Sequence, residues 1–161
     1  MTIAIAMALA ALVCVLAAAV ADMRRFEIPD GLSIALLVTA AGYGFFTPGF
    51  GWISHTAAPL IMFGIGLLMF SRGWMGGGDI KLLIAIAAWT GLSGLPLQLV
   101  GVALAGGGLA LVLLVVRAGL ARNGRDTAHM PRLFQADAPL PYAVAIAAGT
   151  IWWAWSVWPV R

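Results

Sequence analysis

Residues 2–21 run without a single charged side chain and end at Asp22. About 20 such residues are what a helix needs to cross a hydrocarbon core of about 30 Å. In lipid, every backbone N–H and C=O of a spanning segment must find a partner within the protein, which leaves helices and closed barrels as the available structures. The rest of the chain repeats the pattern: of 161 residues, 63% are hydrophobic and 9% charged, against about 25% charged in soluble domains. A membrane protein is therefore expected, with the lipid bilayer as its first partner.

Charges and turn residues divide the sequence into six candidate spans, at 2–21, 32–47, 53–71, 80–94, 96–117 and 140–158. The fold expected is all-α: a polytopic membrane protein with six transmembrane helices in one domain covering 1–161. Arg24 and Arg25 follow the first span, Arg72 the third, and Arg117, Arg122, Arg125 and Arg132 lie after or at the end of the fifth, whereas residues 47–52 and 91–96 carry no charge. Cations in every second connection mark the cytoplasmic side and put both termini outside. Arg161 runs against this rule, but it follows Trp152, Trp153, Trp155 and Trp158, which read as an interfacial belt. The net charge of +3 then reflects orientation, and no nucleic acid partner is expected.

Ala19-Val20-Ala21 has the small residues of a signal-peptide cleavage site, yet no cation precedes the apolar run, so a retained helix is expected. Cys14 is the sole cysteine and reads as a structural thiol. Glycines 42, 44, 64, 66, 106, 107 and 108 lie within apolar segments, where small residues let helices approach.

Only six residues are acidic: Asp22, Glu27, Asp30, Asp79, Asp126 and Asp137. All fall in or beside the connections assigned to the cytoplasm, so that face is the reactive one. Asp22 ends the first span and Asp79 begins the fourth, a short one reaching roughly 24 Å, so Asp79 is expected below the membrane surface. Ionisable groups at that depth are costly and usually functional. Two adjoining carboxyls cannot both ionise cheaply, and a pair sharing one proton supplies a base for water and an acid for a leaving amine. Helix dipoles suggest that Asp79, at a helix N-terminus, is the charged member and Asp22, at a C-terminal end, the neutral one. From position alone, both acids read equally well as ordinary interfacial residues. With Glu27 and Asp30 they also make four oxygen donors suited to Mg²⁺ or Ca²⁺, although neither a metal nor another cofactor is expected. His55 and His129 are isolated in sequence and expected to be solvated.

The local sequence favours chemistry. Gly76-Gly77-Gly78-Asp79 is a glycine run at a helix start, where absent side chains admit a substrate backbone and permit unusual dihedrals. It resembles the GxGD signature of intramembrane aspartyl proteases. Three segments together resemble the type IV prepilin peptidases, in the short form that serves Tad or Flp pilus systems. They are Asp22-Met23-Arg24-Arg25-Phe26-Glu27-Ile28-Pro29-Asp30, Gly76-Gly77-Gly78-Asp79-Ile80-Lys81-Leu82-Leu83, and Pro139-Leu140-Pro141-Tyr142-Ala143-Val144-Ala145-Ile146. Asp30 stands where many members carry Asn, and Ala143 where many carry Gly.

This resemblance implies an aspartic endopeptidase of the bacterial inner membrane, with both termini periplasmic. It would cleave prepilin leader peptides at the cytoplasmic face, with Asp22 and Asp79 as the catalytic pair. Prepilins are the implied partners, with pilus or secretion assembly components beside them. Longer members carry paired Cys-x-x-Cys motifs and methylate the new amino terminus; without those motifs, no N-methyltransferase activity is expected. Gly76, Gly77, Gly78, Lys81, Arg24, Arg25, Pro29 and Asp30 are the candidates for seating substrate or tuning the pair. Lys81, two residues past Asp79, is the foremost of these. Pro29 also suits a helix start, and the arginines any inward loop. The rival reading is a small cation- or proton-coupled transporter using the same two acids.

Overall fold

The computed structural model describes residues 2–123, 129–135 and 138–157, which are all-helical, with no strand among them. The helices are α1 (Thr2–Arg25), α2 (Asp30–Phe45), α3 (Trp52–Ser71), α4 (Gly77–Arg122) and α5 (Tyr142–Val157), and a 3-10 turn, Arg132–Phe134, lies against α4. By length and apolar composition α1, α3 and α4 are candidate membrane spans, while α2 and α5 are shorter apolar helices of 16 residues. The sequence predicts six spans, and the described residues form five α-helices. The difference arises because 80–94 and 96–117 fall within the 46-residue α4, with no loop between them.

A straight helix of that length would extend about 69 Å, more than twice a hydrocarbon core of about 30 Å. Gly91 breaks it: its φ of 60° and ψ of −179° lie outside the helical region. Before the break, Ile80 faces Gly66 and Ala88 meets His55, so the first arm runs antiparallel to α3. After it, Gly94 faces Trp153, Gly101 faces Gly149 and Gly106 faces Tyr142, so the second arm runs antiparallel to α5. The chain thus reverses at Gly91.

An unbroken helix would join the Leu92 N–H to the Ala88 C=O. Here both groups are satisfied by consecutive residues of α3. The Leu92 N–H donates to Ser54 Oγ at 2.8 Å, and the Ala88 carbonyl accepts from His55 Nδ1 at 2.9 Å. His55 also stacks on Phe50, with ring centroids 4.2 Å apart. The expectation that His55 is solvated is therefore corrected: it is half-buried and completes a backbone that lipid would otherwise leave unpaired.

Small residues account for the tightness of the bundle. Gly101 and Gly149 bring α4 and α5 into backbone contact, and Gly42 leaves room for Met7 of α1, whereas Gly64, Gly107 and Gly108 face nothing nearby. Ala18, Leu36, Leu82, Ala85, Ile86, Ala87 and Ile146 form the centre of the core. Cys14 is a free, partly buried thiol at its edge. Trp152 and Trp155 are exposed, as a membrane-interface role requires, but Trp153 turns inward onto Gly94. Trp158, Arg161, Arg125, Asp126 and Asp137 lie outside the described residues.

Candidate active site

The buried positions of α1 are Ala4, Ala11, Val15, Ala18, Ala19 and Asp22. From Ala11 onward they follow the three- and four-residue spacing of one helix face, so Asp22 ends the inward stripe and is 6% exposed. Its Oδ2 accepts a 2.8 Å hydrogen bond from the backbone N–H of Ala143. Ala143 is the second residue of α5, where N–H groups have no intrahelical acceptor. Asp22 thus closes α1 and satisfies the start of α5. Beyond it, Phe26 adopts a φ of 54° and its N–H bonds back to the Asp22 carbonyl, turning the chain out of the helix. Pro29 then caps α2 in an extended conformation.

Asp79 is the third residue of α4, half-buried, after the cap residue Gly76. Its carboxyl folds back over that cap: a methyl group on Gly76 would stand 3.2 Å from Oδ2. A methyl group on Gly78 would stand 3.3 Å from the Cβ of Ile28, and one on Gly77 would stand 3.6 Å from Phe70. The glycine run therefore makes room for Asp79 itself and for the Ile28-Pro29 turn of the other segment. The positive-φ glycines among the described residues are Gly49, Gly73 and Gly91, so Gly76–Gly78 do not use the left-handed dihedrals that glycine permits. The two acid-bearing segments meet through the Gly78–Ile28 contact.

The remaining candidates are distributed differently from expectation. Lys81 Nζ binds both oxygens of Asp30, at 2.8 and 2.9 Å, in an exposed pair that ties the start of α2 to α4. Lys81 is thus engaged away from the acid pair, because its position two residues beyond Asp79 turns it to another face of the helix. Arg24, Arg25 and Glu27 are exposed, and Arg72 stacks over Trp74 at 5.7 Å. Among the described residues no three His, Cys, Asp or Glu side chains converge on a possible cation position. The four-oxygen set weighed from sequence does not assemble, since Asp30 is held by Lys81 and Glu27 faces outward. His129 is exposed.

Two contributors escape a reading of the sequence by motif. One is the N–H of Ala143, for which the signal is the Pro139-Leu140-Pro141 run before an apolar segment, a helix start in need of an acceptor. It also sets the N-terminus of α5 against the C-terminal end of α1 at Asp22, a contribution the helix-dipole argument did not include. The other is Arg117, whose guanidinium donates to the carbonyls of Leu133 and Ala138.

This geometry has a counterpart among known families. The chain matches the type IV leader peptidase family over residues 9–111, a stretch containing Asp22, Asp79, their flanking segments and most of both arms of α4. No curated protein and no solved structure matches it. The match extends over more than half of the chain, and the chain belongs to the type IV leader peptidase family.

Proposed function

We propose that this protein is an aspartic endopeptidase that cleaves the leader peptides of Flp- or Tad-type prepilins, with Asp22 and Asp79 as its catalytic carboxyls. The observation that carries the reading is the meeting of the two acid-bearing segments, with buried Asp22 at the end of α1 and Asp79 at the start of α4, and Gly78 of one segment against Ile28 of the other. Membership of the leader peptidase family supports peptide hydrolysis as the reaction.

In the proposed reaction one carboxylate removes a proton from water as the oxygen adds to the scissile carbonyl. The other, protonated, hydrogen-bonds to the carbonyl oxygen, and the resulting tetrahedral species collapses as a proton passes to the leaving nitrogen. The C–N bond breaks, and no covalent enzyme intermediate is required. A pair titrating as a unit can return to its starting state after each turnover.

With the arms of α4 counted separately, the reading has six membrane crossings in one domain. Both chain termini lie in the periplasm and the acid pair lies at the cytoplasmic face of a bacterial inner membrane. Cations cluster at the acid end, at Arg24, Arg25, Arg72 and Arg122, as inward-facing loops require. The activity proposed is proteolysis without amino-terminal methylation, and the chain's one cysteine supplies no Cys-x-x-Cys pair. A transporter would place carboxyls along a path through the bilayer, but every acid in the sequence falls in or beside a connection that the charge pattern assigns to the cytoplasm.

The test is cleavage of a co-expressed Flp-type prepilin by the wild type, Asp22→Asn and Asp79→Asn. Loss of processing in both variants at normal protein levels is expected. Processing by either variant at the wild-type rate overturns the proposal.

A further inference from the structure

Arg117 lies in the second arm of α4, eleven positions past Gly106, the glycine that packs on Tyr142. It is half-buried, and its guanidinium makes three hydrogen bonds to backbone oxygens. Nε and Nη2 reach the Leu133 carbonyl at 3.1 and 2.9 Å, and Nη1 reaches that of Ala138 at 2.9 Å. A cation placed only to orient the helix would need none of these bonds. The planar fork joins two carbonyls with several donors at once, a geometry an ammonium group does not reproduce.

Ala138 is followed by Pro139-Leu140-Pro141-Tyr142, and then by Ala143, whose N–H holds Asp22. Two of the four intervening residues are prolines with φ fixed near −65°. Pro141 is fully buried, and its carbonyl accepts the N–H of Val144. The segment is therefore a stiff strut, anchored by Arg117 at one end and ending on the carboxyl of Asp22 at the other.

We infer that Arg117 is a positioning residue for the acid pair: by gripping Leu133 and Ala138 it fixes the start of α5 and, through the Ala143 N–H, the orientation of Asp22. The inference rests on the proposed role of Asp22. Arg117 touches neither acid, so its effect belongs to turnover and not to substrate affinity.

The experiment measures kcat and KM for prepilin cleavage by the full-length protein in detergent micelles, for the wild type, Arg117→Lys, Arg122→Lys and Asp22→Asn. Arg117→Lys keeps the charge, and hence the topology, but loses the fork. A misplacement of about 1 Å can cost up to about 100-fold in rate, so kcat is expected to fall by about 10- to 100-fold with KM within about twofold of wild type. Arg122→Lys, at an exposed position, leaves both constants unchanged. Wild-type kcat in Arg117→Lys overturns the inference, as does a change confined to KM, which would place Arg117 on the substrate.

Replacement of the Ala143 amide by an ester, through incorporation of the hydroxy-acid analogue, deletes the N–H alone and tests the other end of the strut even where Arg117→Lys fails to fold. The ester is expected to show the same kcat loss, and wild-type kcat there also overturns the inference. Full activity in Asp22→Asn would instead sink the proposed function, which keeps the two failures distinguishable.

Discussion

His55 donates its Nδ1–H to the carbonyl of Ala88 across 2.9 Å, taking the place of a bond that α4 gives up at Gly91. Its neighbour Ser54 accepts the N–H released by the same break. Leaving a buried polar group unpaired costs about 1–3 kcal/mol. His55→Ala is expected to destabilise the protein by about that amount, read as a lowered unfolding midpoint in micelles, and Ser54→Ala, which frees the more exposed Leu92 N–H, by less. The double variant should fall short of the sum, because both side chains serve one break.

Gly91 itself permits no simple replacement. Its φ of 60° with ψ of −179° belongs to a region essentially restricted to glycine, where another residue costs about 1–3 kcal/mol. A Cβ there would also lie 2.9 Å from Ser54 Oγ. Gly91→Ala is expected to lower the unfolding midpoint at least as far as His55→Ala does.

Gly78 and Ile28 join the two acid-bearing segments. A methyl group on Gly78 would meet the Ile28 Cβ at 3.3 Å, and overpacking of that kind costs about 1–3 kcal/mol. Gly78→Ala is expected to slow prepilin cleavage by separating the segments. Ile28→Ala in the same chain should restore part of the rate, which a coupled measurement of the two single variants and the double variant would show.

Exchanging either acid for its amide removes a carboxyl while preserving shape. General acid–base catalysis contributes about 10²–10⁴-fold, so Asp22→Asn and Asp79→Asn should each reduce the single-turnover rate by at least about a hundredfold. Equal unfolding midpoints would separate this effect from a loss of fold.

The Lys81–Asp30 pair is exposed on both sides, and pairs of this kind contribute about 0.2–1 kcal/mol. Lys81→Met should change stability by less than about 1 kcal/mol, and the difference should shrink as salt is added.

The sequence already carries much of this arrangement. The apolar run at 2–21 marks α1, residues 53–71 nearly coincide with α3, and the scarcity of acids singles out Asp22 and Asp79. Other features depend on groups remote in the chain. Apolar helices with little polar periodicity give no sign of which face meets which neighbour, so the inward turn of Trp153 and the partner of His55 stay hidden. Gly91 resembles the surrounding turn residues 92–96 in sequence, yet it alone leaves the helical region. The N–H of Ala143 has no side-chain signature, and it meets Asp22 across 121 residues of chain. Lys81 looks like a tuner of Asp79 only while Asp30, 51 residues away, is out of view.

The break at Gly91 makes the first arm of α4 a lever with Asp79 near its tip. Twelve residues separate pivot from carboxyl, about 18 Å, so a swing of about 5° at the glycine displaces the acid by about 1.6 Å, more than the alignment needed for its proposed role tolerates. The grip of Ser54 and His55 on that pivot therefore sets the aim of a carboxyl at the other end of the arm.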